Sequence, residues 1–275
     1  MKAPVLTTPL MKMPALGLGT WPMKGGDCQA AVETAIGLGY RHIDTAEMYG
    51  NEDAVGAAIN LCGVPRGELF LTTKIWNDKT DGPSFRAAFE GCLGRLRQAY
   101  VDLLLVHWPS PQMDLPSILE AMAWIRANNL AKNVGVSNFP PGLLQRALDL
   151  DIVPIACLQV EHHLMLGQDR LLAITQPRQI VLTSYTPLCK GEALEHPVIQ
   201  QVAKRHKATP CQIALAWLLR MQNVSAIPKA RSAQRQMENL GATAIRLSAE
   251  DVSALATLPK NRRFVNPDIA PDWDS

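Results

Sequence analysis

Three short apolar runs in this chain each end on a side chain able to move or steer a proton. Tyr40-Arg41-His42-Ile43-Asp44-Thr45-Ala46-Glu47-Met48-Tyr49 sets Asp44 and Tyr49 in one strand-to-helix connection. Leu69-Phe70-Leu71-Thr72-Thr73-Lys74 ends on a lysine, and Val101-Asp102-Leu103-Leu104-Leu105-Val106-His107 on a histidine. Parallel packing of these runs would bring Asp44, Tyr49, Lys74 and His107 out at one end of one sheet. A tyrosine hydroxyl at its ordinary pKa of about 10 is a poor proton donor near neutral pH. A buried lysine beside it, itself paired to an aspartate, favours the tyrosinate and is expected to lower that pKa toward the working range. Asp44, Lys74 and Tyr49 therefore read as a tuned acid, with His107 placed to orient the reacting oxygen. Taken singly, Asp44 with Lys74 reads equally as a structural ion pair, and His107 as a core histidine.

The elements that must hold these groups alternate along the chain. Strands are expected over 16–21, 42–44, 69–74, 101–107, 133–138, 155–160, 179–184 and 224–227. Helical periodicity falls between them, over 28–38, 51–63, 83–98, from Pro116, 140–150, 168–175, 197–206, 209–221 and 232–240. Gly25-Gly26-Asp27 is expected to stop the first strand and cap its helix, and Asn51 to cap the next. Ser248-Ala249-Glu250-Asp251 opens one further helix by a capping signal. Short apolar strands alternating with helices at a spacing of roughly 30 residues imply a parallel sheet, and eight units imply a (β/α)₈ TIM barrel. Ahead of it, Val5-Leu6-Thr7 and Met11-Lys12-Met13 flank Thr8-Pro9-Leu10 as a hairpin expected to plug the barrel's bottom. Behind it, 259–275 is an irregular tail too apolar to be wholly solvated, with Phe264, Val265, Ile269 and Trp273. With no Gly/Ser-rich or charged linker, 1–275 reads as a single domain. Asp44, Lys74, His107, Ser137, Asn138, Gln159, Tyr185 and Lys229 all fall at C-terminal strand ends, the face where barrels keep their active sites.

Composition narrows the classes. The formal net charge of +2 over 275 residues comes with interspersed charges, which excludes the basic stripe of a nucleic-acid binder and the polybasic face of a membrane-surface protein. The partner is expected to be a small molecule. Six cysteines, scattered without a C-x-x-C pair, read as reduced core thiols. No signal-peptide core follows Met1, and no apolar run reaches the roughly 20 residues of a membrane span, so a cytoplasmic, monomeric protein is expected. Gly17-Leu18-Gly19 lacks the third glycine of the dinucleotide fingerprint and reads as a backbone feature of the site floor. His162-His163 has no carboxylate or cysteine at ligand spacing, so no metal is expected.

Seven stretches resemble, in order and over the whole chain, those of the aldo-keto reductase superfamily. They are Gly17-Leu18-Gly19-Thr20-Trp21, Asp44-Thr45-Ala46-Glu47-Met48-Tyr49, Thr73-Lys74, His107-Trp108-Pro109, Gly135-Val136-Ser137-Asn138-Phe139, Gln159-Val160-Glu161 and Ile227-Pro228-Lys229. Trp108-Pro109-Ser110-Pro111 and the run from Asn261 to Trp273 are similar more narrowly to the bacterial diketogluconate reductases. The resemblance implies NADPH-dependent reduction of an aldehyde or ketone, of the 2,5-diketo-D-gluconate or methylglyoxal kind. Tyr49 would be the proton donor, Lys74 and Asp44 would tune it, and His107 would orient the carbonyl.

It also implies that Ser137, Asn138 and Gln159 meet the nicotinamide carboxamide and that Tyr185 stacks on the ring. Gly19, Thr20, Trp21, Asp44, Thr186, Pro187, Leu188, Ile227 and Pro228 would line the cofactor. Lys229, Ser232 and Arg235 would meet the 2′-phosphate, with Ala230 where many members carry a serine, and Glu238 and Asn239 would lie near the adenine. Trp21, Tyr49, Trp76, His107 and Trp108 would wall the substrate pocket. Two rival readings remain at this point, a Schiff-base lyase using Lys74 and an NADPH-binding redox sensor with little turnover.

Overall fold

The structure, a computed structural model, describes residues 3–274. The hairpin strands β1 (Val5–Thr7) and β2 (Lys12–Pro14) come first, paired antiparallel with Leu6 opposite Met13. Barrel strands and helices then alternate: β3 (Leu18–Gly19), α1 (Gly25–Leu38), β4 (His42–Asp44), α2 (Glu52–Leu61), β5 (Phe70–Ile75) and α3 (Gly82–Leu96). They continue with β6 (Val101–Val106), α4 (Leu115–Ala127), β7 (Ala131–Ser137), α5 (Pro141–Asp149), β8 (Ile155–Glu161) and α6 (Asp169–Thr175). The rest are β9 (Val181–Tyr185), α7 (Pro197–His206), α8 (Pro210–Leu219), β10 (Val224–Ala226), α9 (Ala233–Gly241) and α10 (Ala249–Ala256).

Strands β3 to β10 form one eight-stranded parallel sheet in sequence order. Its two outer members meet, because Leu16 bridges Ala226 and the Gly17 amide donates to the Ala226 carbonyl at 2.9 Å. The expected (β/α)₈ barrel is therefore closed. Each residue of β5, β6 and β8 is buried, which is why these strands read as continuous apolar runs with no alternation. The hairpin covers the N-terminal end as expected: Met11 and Met13 pack with Phe70, Leu103, Ala156 and Val181 at the strand starts. The opposite end is left to the βα loops.

Several boundaries differ from expectation, each for a local reason. The first strand keeps two of its six expected residues, because Thr20 turns away to donate both its amide and its hydroxyl to the Asp44 carbonyl. Helix α1 begins at Gly25 with Lys24 as cap, so Asp27 lies inside its first turn and favours the helix dipole there. Asn51 does precede α2, yet its side chain caps nothing. Its amide donates to the Met23 carbonyl and its oxygen accepts from Thr45, stitching three connections at the site floor. Asp81 and Ser248 cap α3 and α10, and Thr209 with Gln212 forms a capping box on α8. Lys229 lies three residues past the end of β10, and Gln159 two residues short of the end of β8.

The outer helices pack closely enough to need missing side chains. A Cβ on Gly56 would lie 2.1 Å from the Leu96 carbonyl oxygen, where α2 crosses the end of α3. Backbone oxygen cannot yield as a flexible side chain would. Gly56→Ala is expected to destabilise the fold by about 1–3 kcal/mol, through overpacking at a site remote from the mouth. Urea denaturation reads this directly, and a midpoint equal to wild type would show that the helices separate at no cost.

Candidate active site

The ends of β4 and β5 bring the first pair together. These strands are neighbours, with Asp44 opposite Thr72, so Lys74 stands one pleat beyond Asp44 and reaches back. Lys74 Nζ donates to Asp44 Oδ1 at 2.5 Å, to the Thr45 carbonyl at 2.9 Å and to the Tyr49 hydroxyl at 3.3 Å, which uses all three of its protons. Asp44 Oδ2 accepts from Gln159 Nε2 at 2.8 Å across the barrel, from β8. Lys74 is wholly buried and Asp44 nearly so. Burial would lower the lysine pKa, but Asp44 and Tyr49 beside it raise it, and the ammonium persists.

Tyr49 ends a short 3-10 turn, Glu47–Tyr49, which Glu47 holds by accepting from the Trp76 amide at 3.1 Å. Its ring lies 5.1 Å from that of Trp21 and edge-on to His107 at 5.6 Å. The expected fall in its pKa is not found. Burial raises it, and although the Lys74 cation pulls the other way, the Asp44 charge adds to the rise. The tyrosine therefore rests as the neutral phenol, a loaded donor whose conjugate base has a cation waiting at hydrogen-bond distance.

His107 follows β6 and is 6 % exposed, packed edge-on against Trp76 at 5.1 Å. Burial first and then the Lys74 charge push its imidazole well below the ordinary value, so it is neutral. Its carbonyl accepts from Asn138 Nδ2 at 2.9 Å, and its Nδ1 has no hydrogen-bond partner. The next strands add a polar floor. Asn138 Nδ2 also donates to Ser137 Oγ at 3.1 Å, and the Tyr185 hydroxyl donates to Asn138 Oδ1 at 2.7 Å. Burial holds the Tyr185 phenol well above its usual range. Gly19 pairs with Asp44 and Thr20 bonds to its carbonyl, Trp21 lies against Tyr49, and Thr186, Pro187 and Leu188 continue the loop from Tyr185.

A second cluster lies along the loop after β10. Lys229 and Arg235 are exposed beside the N-terminus of α9, where Ser232 Oγ accepts from the Arg235 amide at 3.4 Å. Ile227, Pro228 and Ala230 are buried beneath them. Glu238 is half-buried, whereas Asn239 is buried and turned to the Tyr40 hydroxyl. Gln236 ties this loop down, its Nε2 donating to the Ala31 and Ala230 carbonyls at 2.9 and 3.0 Å. Gln236 carried no signal in the sequence, nor did Glu52, which is buried behind β5 and accepts from Thr73 Oγ1 at 2.5 Å and Arg95 Nε at 2.8 Å. Trp108, which follows His107, faces Trp273 of the tail with ring centres 6.0 Å apart. Among the described residues, no cluster of three metal-binding side chains occurs.

A family model described as the aldo/keto reductase family matches residues 15–259. Methylglyoxal reductase DkgB of Escherichia coli O157:H7 is 39% identical over 268 residues, covering 96% of this chain and 100% of its own length. A crystal structure of a protein provisionally named 2,5-diketo-D-gluconic acid reductase B superposes with a TM-score of 0.92 at 37% identity, covering 95% of this chain and 94% of that one. AKR2E5, an aldo-keto reductase of the silkworm Bombyx mori solved with NADPH, gives 0.91 at 29% identity, over 97% of this chain and 90% of its own.

The buried imidazoles set a pH dependence. Burial lowers His42 to about 4 and His162 to about 3, and it lowers His107 as well. Below the unfolded value of about 6.5, the unfolded chain binds protons that the native chain refuses, so stability falls as pH falls, by up to about 1.4 kcal/mol per pH unit for each histidine. Urea midpoints should therefore drop steeply from pH 6.5 to pH 4.5 and change little between pH 7 and pH 8. A flat profile across the acid range would mean that these rings are protonated in the fold.

Proposed function

The chain belongs to the aldo/keto reductase family and is an NADPH-dependent oxidoreductase, and from that premise we propose that it reduces small dicarbonyl and keto-sugar substrates with Tyr49 as the proton donor. The observation that carries this reading is the Lys74 ammonium held between Asp44 and the Tyr49 hydroxyl, with a neutral His107 beside them. The relatives named for methylglyoxal and 2,5-diketo-D-gluconic acid support the substrate class. So do the aromatic rings around the centre, Trp21 beside Tyr49, Trp76 beside His107 and Trp273 against Trp108.

NADPH, when bound, supplies the hydride. The residues present suit it: Lys229 and Arg235 flank a helix N-terminus, a ready site for the 2′-phosphate dianion. Tyr185 would offer its ring to the nicotinamide, and Ser137, Asn138 and Gln159 would offer polar edges, Asn138 by releasing partners it holds here and Gln159 through its oxygen while its Nε2 stays on Asp44.

The protein's own part is to place a carbonyl oxygen between Tyr49 and His107. A neutral imidazole can donate there without adding charge, which fixes the orientation of the carbonyl. As the oxygen gains negative charge, Tyr49 gives up its proton and Lys74 stabilises the tyrosinate left behind. At the effective dielectric of buried sites that stabilisation amounts to a few kcal/mol. Gln159 and Lys74 together keep Asp44 from turning toward the substrate. A Schiff-base role for Lys74 fits less well, because its protons are all engaged and its pKa is raised, whereas imine formation needs a free neutral amine. Asp44, Lys74, Ser137, Gln159 and Tyr185 stand on strands of one closed sheet, with Tyr49 and His107 in the connections that follow, which supports reading 1–275 as a single domain.

Two variants test the roles. Tyr49→Phe keeps the ring and removes the acid, so turnover should fall by roughly 10²-fold or more while NADPH affinity stays within about 2-fold. Near wild-type turnover would sink the assignment. Lys229→Ala and Arg235→Ala should each weaken NADPH by about 10- to 100-fold and leave NADH nearly untouched, since each removes one charge-assisted contact to the phosphate. Fluorescence titration of both cofactors decides it, and equal losses would mean that the two residues only shape the loop. A panel of methylglyoxal, 2,5-diketo-D-gluconate and simple aldehydes, read by NADPH absorbance, tests the substrate class. Absence of turnover on every member would leave the sensor reading standing.

A further inference from the structure

Strand β8 carries two polar side chains on one face, two residues apart. Gln159 reaches Asp44, as described above. Glu161 has no part in the proton chemistry, yet it is a fully buried carboxylate at the C-terminal end of the strand. Its Oε1 accepts from the Phe264 amide at 2.8 Å and pairs with His163 Nε2 at 3.0 Å, while its Oε2 accepts from the Val265 amide at 3.0 Å. The Arg263 guanidinium lies 3.9 Å from Oε2. A buried carboxylate left unpaired is costly, so these partners define its position as firmly as it defines theirs.

Apart from His163, the partners belong to the tail. Arg263, Phe264 and Val265 are consecutive, and from there the chain crosses to Trp273, whose ring lies under the Arg263 guanidinium at 3.7 Å. Trp273 in turn faces Trp108, which follows His107 directly. Among its described residues the tail has no helix or strand of its own beyond the single bridge of Asn261 to Leu166. Its path must therefore come from outside, and Glu161 is where the barrel grips two successive amides of it. Phe264 packs on His163 at 5.3 Å and its carbonyl accepts from Lys190 at 3.0 Å, which completes the grip.

We infer that Glu161 is a positioning residue for substrate: its carboxylate latches the tail so that Trp273 closes the pocket wall against Trp108. The inference rests on the reductase reading of the site. Its ligand is the tail itself, and its effect is expected in substrate capture rather than in the chemical step.

The test is a double-mutant cycle read in steady state with NADPH and 4-nitrobenzaldehyde, a substrate large enough to reach the outer wall. Turnover by the wild-type protein comes first, since its absence would remove the reductase reading without touching the latch. Glu161→Gln keeps the shape but turns an N–H toward a backbone N–H, so KM should rise about 10-fold while kcat changes by less than about 3-fold. In a Trp273→Ala background KM should already be raised, and Glu161→Gln should add less than about 2-fold. A KM unchanged by Glu161→Gln in the otherwise wild-type chain overturns the latch, as does an equal rise with and without the Trp273 ring. Should Glu161→Gln fail to fold, Val265→Pro deletes one of the gripped amides with Glu161 intact, and the same KM rise is required of it.

Discussion

The site depends on one ion pair that would be too costly to keep for stability alone. Lys74 and Asp44 are taken wholly out of water, and desolvating two charges costs several kcal/mol each before their attraction offsets it. The pair persists because each remaining valence is used: Thr45 and Tyr49 accept from the lysine, and Gln159 donates to the aspartate. Removing either partner would leave a bare buried charge. The barrel supplies the geometry for this cheaply, since β4 and β5 are neighbours in register and β8 faces them across the interior.

From that pair the remaining features follow in order. A fixed cation at 3.3 Å makes the Tyr49 phenol able to lose its proton without moving. Burial, with the same cation second, keeps His107 neutral, so in the proposed reading Tyr49 donates a proton while its neighbour only orients. Burial also prevents the tyrosine from ionising early. A donor that is protonated at rest and stabilised once deprotonated suits a step in which negative charge appears on the substrate oxygen. In the proposed reading the loops and the tail decide what reaches this centre, and they are held by buried groups of their own, Gln236 under the loop after β10 and Glu161 under the tail.

Much of this was legible in the residues, and the parts that were not share a cause. Strand β4 and helix α7 have the bounds their patterns imply, and the eight-fold alternation was plain because doubly covered strands are largely apolar. Asp44, Lys74 and His107 were legible because they stand at or beside strand ends, and Tyr49 because it lies in the connection after β4. The start of α1 and the length of β3 were not, since both follow from where Thr20 and Lys24 turn in three dimensions. Glu161 stood in a matched stretch but drew no role of its own, and neither did Glu52, because the Phe264 amide and Arg95 that hold them lie 103 and 43 residues away. The direction of the Tyr49 shift was misjudged for a related reason: spacing shows that a lysine is near, but the depth of burial that outweighs it is a property of the assembled barrel.

The central claim is that the Lys74 cation lowers the barrier by stabilising the tyrosinate, and single-turnover hydride transfer in a Lys74→Met variant tests it most directly. With the enzyme saturated in NADPH and mixed rapidly with methylglyoxal, the account predicts a hydride-transfer rate at least roughly 10²-fold below wild type. NADPH affinity should be little changed, and a primary isotope effect should appear when NADPD replaces NADPH. A rate within about 3-fold of wild type, in a variant shown to be folded and cofactor-bound, would contradict it.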